Sequence, residues 1–126
     1  MIDHYLLNQE SLFRKKPLSA KGGASICRWR QEITSILKGE DPRLLLIVGP
    51  CSIHDVTAGL EYARRLKELA NEVQDSFFIV MRSYLEKSRT CHGWKGLITD
   101  PDLDESCQIQ KGLLLARRFL LNLVDM

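Results

Sequence analysis

The sequence has no C-x-x-C pair, no basic run, no internal repeat and no low-complexity tract. Its four cysteines, Cys27, Cys51, Cys91 and Cys107, stand far apart, which excludes a zinc ribbon and a closely spaced redox pair. The net charge of +2 is too small to point to nucleic acid or a membrane surface, so neither is expected as a partner. The longest apolar run falls far short of a membrane span. The opening stretch MIDHYLLNQESLFRKK carries an early acid and lacks the apolar core of a secretory leader. A cytoplasmic location follows as the expectation, and with it thiols rather than a disulfide framework.

What is present is an alternation of helical and strand patterns in 126 residues, 44% of them apolar and 27% charged, as in an ordinary globular domain. Residues 1–24 carry polar and Gly-Gly punctuation and read as an arm with little core of its own. A helix is expected over 25–38 on the stripe Ile26, Trp29, Ile33 and Leu37, with Gly39 just past its end. Leu44 to Val48 is a short continuous apolar run, the pattern of a strand covered on both faces in a parallel sheet. A second helix is expected over 56–73, capped by Asp55, on Tyr62, Leu66, Leu69 and Val73. Phe77 to Met81 repeats the buried-strand pattern. Residues 83–103 read as irregular, and a last helix is expected from near Asp104, carrying Ile109, Leu113, Ala116, Leu120 and Leu123. Trp29 and Phe119 are read as packing.

Strands that alternate with helices imply βαβ units and a parallel sheet, so the fold class is α/β. Two parallel strands alone are marginal, because both edges stay open. The pattern therefore reads as the opening of a larger α/β protein. Residues 1–39 form an arm and lead-in helix, and residues 40–126 form two βα units of an incomplete domain.

Two features gather chemistry at the C-terminal ends of the strands, where α/β proteins bind ligands. Gly49-Pro50-Cys51 gives a stiff exit from the first strand and places a thiol at its end. Cys51 suits a metal ligand or a nucleophile, or alternatively a small hydrophobe filling the βα corner. His54 could be a ligand, a base or a structural residue near the helix start, and the structural role is favoured. Cys91 and His92 are adjacent, so their side chains diverge in an extended segment. The second feature is the long loop after the second strand, which carries Arg82, Lys87, Arg89, Thr90 and Lys95. Arginine grips phosphate or carboxylate in bidentate fashion and lysine supplies a point charge, so the loop suits a phosphorylated, carboxylated substrate. An extended segment would put Arg82, Tyr84 and Glu86 on one face and Lys87 on the other, so a turn is needed to bring Arg82 and Lys87 together. The alternative is a solvated charged loop with Glu86 pairing locally.

The stretches RLLLIVGPCSIHD (43–55), IVMRSYLEKSRT (79–90) and GWKGLITDPDLDES (93–106) resemble, in order and spacing, the N-terminal part of the type I 3-deoxy-D-arabino-heptulosonate 7-phosphate (DAHP) synthases. The likeness runs from about residue 17 to the end, and Arg30 to Leu45 fits the lead-in helix of that family. It implies a (β/α)8 TIM barrel, of which this chain supplies the N-terminal extension and the first two βα units. It implies condensation of phosphoenolpyruvate with erythrose 4-phosphate and water, giving DAHP and phosphate, the first step of the shikimate pathway to aromatic amino acids. It implies a divalent metal of the manganese, iron or cobalt type in a complete, homo-oligomeric enzyme. By motif, Cys51 is similar to the metal-ligand cysteine, Arg82 and Lys87 to the residues that hold phosphoenolpyruvate, and Arg89 and Thr90 to the pair on the phosphate of erythrose 4-phosphate. Lys87 also stands where a proton-transfer role is implied.

The sequence departs from the family in having Ser88 where a proline is usual, which loosens the loop, and Cys91-His92 where Thr-Val is usual. The family's other metal ligands, a histidine, a glutamate and an aspartate, come from later strands, and one thiolate cannot hold a catalytic metal alone. The short chain is accordingly expected to be a truncated form that binds no metal and turns over no substrate by itself. The competing expectations are a non-catalytic remnant and a small metal- or phosphate-binding module using Cys51, His54, Cys91 and His92.

Overall fold

The computed structural model describes residues 8–87 and 92–126. Its elements are α1 (Gln9–Lys15), α2 (Ala20–Leu37), β1 (Leu44–Val48), α3 (Val56–Glu72), β2 (Phe77–Met81) and α4 (Ile109–Asp125). β1 and β2 pair in parallel, Leu44 opposite Phe77 and Val48 opposite Met81, as the alternating pattern requires. The result is a mixed helical fold around a small parallel sheet, of the α/β class. No helix among the described residues is long and apolar enough to cross a membrane.

Helix boundaries follow from capping chemistry. Asp55 accepts a hydrogen bond from the Ala58 amide and starts α3, as its sequence position implies. Gly39 has φ +76° and donates its amide to the Ile36 carbonyl, so it ends α2 as expected. The start of α2 differs from the expectation. Ser19 caps it by accepting from the Gly22 amide, and the helix runs through the Gly-Gly pair that reads as punctuation. Gly22 is there for close packing: a Cβ on it would lie 2.8 Å from Val124 of α4. The arm also contains α1, which the sequence reading missed. Arg117 of α4 stacks on Phe13, 4.6 Å from its ring centre, and donates to the Lys16 carbonyl, tying α1 to the body.

α4 begins five residues later than expected, because the acids before it compete for backbone donors. Asp104 accepts from the Ser106 amide, and buried Asp100 accepts from the Glu105 amide. Leu103, Glu105 and Cys107 all take positive φ, which no helix allows.

The innermost core is small: Ile53, Leu97 and Phe119, with Val56, Leu60, Met81, Leu85, Trp94 and Leu123 packed around it. Phe119 is fully buried, in line with its reading as packing. The helical stripes are only partly covered. Leu37, Tyr62 and Leu69 are exposed, while Gly59 and Ala63 are the buried residues of α3. The expected burial of β1 on both faces also fails, since Leu44 is 59% and Ile47 66% exposed. A two-stranded sheet has too few neighbours to cover a strand written for a sheet interior. At the start of β1, Arg43 is held by Asp41 and by Glu32 of α2, and its guanidinium lies over the Phe78 ring. That fork holds the Asp41 carboxyl below the usual carboxylate range.

Candidate functional site

The C-terminal ends of β1 and β2 open onto one rim. The ladder continues one step beyond the strands, with the Arg82 amide donating to the Val48 carbonyl at 2.7 Å. Gly49 lies so close to Arg82 that a Cβ there would overlap the Arg82 backbone. Any other residue would therefore force the two strand exits apart. The chain turns through Pro50 and Cys51 and re-enters the core at Ile53, whose amide donates to the Tyr84 carbonyl at 2.8 Å.

Arg82 turns its guanidinium onto this corner. Its Nη1 donates to the Pro50 carbonyl at 2.7 Å and to the Cys51 carbonyl at 2.8 Å, while the group stacks on Tyr84 at 4.8 Å. The corner is thus held by a side chain from the neighbouring strand as well as by proline stiffness. Cys51 is exposed, so the reading as a buried filler of the βα corner is overturned. The physical reason is that Ile53, two residues on, fills the core instead.

Lys87 reaches the same point from the long loop. That loop is not irregular throughout: Glu86 and Gly96 form an antiparallel bridge, and the Lys87 amide donates to the Lys95 carbonyl at 2.9 Å. Gly96 makes the bridge possible, with φ +123° and a backbone so close that a Cβ would lie 2.5 Å from the Glu86 Cα. Thr99 donates to the Glu86 carboxylate, so Glu86 is partnered locally, and Leu97 anchors the returning strand in the core. Trp94 donates its Nε1–H to the Asp100 carbonyl and meets His54 edge-on, with ring centres 6.4 Å apart. With this turn in place, the Lys87 ammonium donates to the Cys51 sulfur at 2.7 Å.

The structure therefore brings Cys51, Arg82 and Lys87 together. Arg89 and Thr90, and with them Ser88 and Cys91, lie outside the described residues. His54 is exposed against Trp94, and its ring contact is with that residue. Sequence reasoning missed the parts played by Trp94 and Gly96. The pair of glycines flanking a tryptophan was visible, but only the backbone approach shows which glycine is required.

Among the described residues, no three of histidine, cysteine, aspartate and glutamate gather to hold a metal ion. A catalytic site for a divalent ion needs about three protein ligands. Cys51 supplies one donor, so the described residues do not by themselves compose a metal centre. What they do compose is a thiol and two cations on one rim, a surface suited to a small anion.

Comparison with known proteins gives the family. Residues 16–124 match the DAHP synthetase I family. The chain is 52% identical, over 98% of its own length and 35% of the relative's, to the Tyr-sensitive phospho-2-dehydro-3-deoxyheptonate aldolase of Escherichia coli strain K12. It is 47% identical, over 86% of its length and 30% of the relative's, to the phenylalanine-inhibited phospho-2-dehydro-3-deoxyheptonate aldolase of Saccharomyces cerevisiae. The solved structure of the corresponding aldolase from Francisella tularensis SCHU S4 superposes with a TM-score of 0.92 at 46% identity, over 97% of this chain and 36% of that one. The chain thus spans about a third of the length of these relatives, and by its matched motifs and its fold it belongs to the DAHP synthetase I family.

Proposed function

We propose that these residues form the opening part of a DAHP synthase, an aldol-type transferase that condenses phosphoenolpyruvate with erythrose 4-phosphate. The observation that carries the reading is the meeting of Lys87 and Arg82 at Cys51, on the rim formed by the ends of β1 and β2. Arg82 and Lys87 would bind the carboxylate and phosphate of phosphoenolpyruvate. Arg89 and Thr90, by motif, would grip the phosphate of erythrose 4-phosphate. Cys51 would serve as one ligand of a divalent metal, whose chemistry in the complete enzyme is to polarise the aldehyde of erythrose 4-phosphate.

Each residue's part follows from its chemistry. The guanidinium of Arg82 is planar and always charged, and its Nη1 is already fixed by two carbonyls, so its direction is set before substrate arrives. Lys87 sits on the flexible arm of an ammonium and can follow the phosphate or move a proton at the reacting carbon. A (β/α)8 barrel in a homo-oligomer is the architecture proposed for the complete enzyme, with residues 1–39 as its extension and the site at the C-terminal face of the strands.

The test is a chimera. This chain replaces the matching third of the Escherichia coli relative, and phosphate release is followed with both substrates and manganese. Turnover is expected, with Lys87→Met lowering kcat by about 10²-fold or more and Arg82→Lys chiefly raising KM for phosphoenolpyruvate. The 126-residue chain on its own is expected to release phosphate only at background. A chimera indifferent to both substitutions, or turnover by the isolated chain, would overturn these assignments.

A further inference from the structure

We propose that Cys51 and Lys87 form an oxidative cross-linking site, in which a hydroperoxide oxidises the thiol and the lysine amine closes a sulfur–nitrogen bond. The proposal depends on their placement alone, not on the catalysis assigned above. Cys51 is exposed, so a small peroxide reaches its sulfur, and the Lys87 nitrogen already stands 2.7 Å from that sulfur.

Neither partner reaches the other by chance of a long side chain. The Cys51 corner is pinned by two hydrogen bonds from Arg82 and by the Ile53 amide on Tyr84. The Lys87 backbone is pinned by the Lys95 carbonyl and the Glu86–Gly96 bridge. Reacting atoms held near 3 Å gain effective molarities of roughly 10⁵ M or more. An amine so placed outcompetes thiols free in solution for an oxidised sulfur.

The chemistry balances in two steps. In the first, the thiol sulfur takes one oxygen from hydrogen peroxide; the O–O bond breaks, water leaves, and a sulfenic acid remains. Sulfur is oxidised by two electrons and the peroxide is reduced by two. In the second, the Lys87 ammonium first gives one proton to solvent and the resulting amine nitrogen attacks that sulfur; the S–N bond forms, the S–O bond breaks, and hydroxide leaves with one further amine proton as water. The product is a sulfenamide, the nitrogen counterpart of a disulfide on the cysteine oxidation ladder. It is lighter than the starting protein by two hydrogens. Added thiol attacks the sulfur and returns the amine, so the link is reversible. While it persists, the rim loses both its thiol and one cation.

Cys27 and Cys107 are internal controls, since both are exposed and neither has a lysine amine in hydrogen-bonding range among the described residues. The experiment treats the 126-residue chain with a molar excess of hydrogen peroxide, enough for sulfinic acid to form, and maps it by mass spectrometry after non-reducing digestion with trypsin. The expected product is a Cys51 peptide joined to a Lys87 peptide uncleaved at that lysine, lighter by two hydrogens and released by dithiothreitol. The same treatment in urea should lower its yield at least about tenfold, because proximity requires the fold. Lys87→Met should abolish the link and leave Cys51 to proceed to sulfinic acid. Cys51 found in the folded chain only as sulfinic acid, or only in a disulfide with another cysteine, would overturn the proposal. An equal yield of the link in urea would do so too.

Discussion

Replacing Gly96 by alanine tests how Lys87 is delivered. Gly96 has φ +123°, a backbone state that costs an L-residue about 1–3 kcal/mol. The added Cβ would also stand 2.5 Å from the Glu86 Cα and 2.8 Å from the Lys87 nitrogen. Those are backbone atoms of the bridge itself and cannot swing away as a side-chain tip can. Overpacking of this kind adds roughly 1–3 kcal/mol, so the total is about 2–6 kcal/mol. Two other glycines separate the contributions. Gly39 has φ +76° with nothing within 4 Å of a would-be Cβ, so Gly39→Ala should carry the strain alone, about 1–3 kcal/mol. Gly23 lies inside α2 with only Leu18 at 3.7 Å, so Gly23→Ala should stabilise by about 0.5–1 kcal/mol. Urea unfolding followed by circular dichroism reads the order, Gly23→Ala above wild type, then Gly39→Ala, then Gly96→Ala. With a urea slope of about 1–2 kcal/mol per molar, the last should lose roughly 1 M or more of midpoint. Equal midpoints for Gly96→Ala and Gly39→Ala would refute the idea that the bridge is sterically closed.

Phe119→Ala empties the centre of the core and should cost about 3–5 kcal/mol, a large share of a small domain's stability. A loss under about 1 kcal/mol in the same urea assay would show that α4 does not pack as described. Stability should also fall in acid: Arg64 and Arg65 hold Glu61 down from 4.5 to about 2, and Arg43 and Ser106 lower Asp41 and Asp104 in the same sense. A depressed carboxyl stabilises above its unfolded value and loses that contribution as pH drops through its folded one, so the thermal midpoint should hold to about pH 5 and decline from there towards about pH 2. A midpoint rising through that window would contradict the sign. The Glu61 share should vanish in an Arg64→Ala, Arg65→Ala double variant, and because these groups are exposed it should be small.

The sequence by itself determined the order of elements from the lead-in helix onward, the bounds of both strands, the cap at Asp55 and the glycine stop at Gly39. Each is a local matter of apolar runs, side-chain acceptors and backbone freedom, and each lies within a few residues of chain. It also put Cys51 and Arg82 just past neighbouring strand ends, because parallel strands end on one rim, and left Lys87 in the loop beyond, in need of a turn to return. Tertiary structure decided what depends on residues far apart. Gly22 has to be a glycine because α4 passes against it. Asp100 and Asp104 delay α4 because their carboxylates capture amides of the turn. Leu44 and Ile47 stay exposed because the two-stranded sheet has no further neighbour among the described residues to cover them. Lys87 reaches Cys51 only because Gly96 lets two backbones approach within the reach of a bridge. Pairing across such distances depends on closures and close contacts that no window of residues encodes.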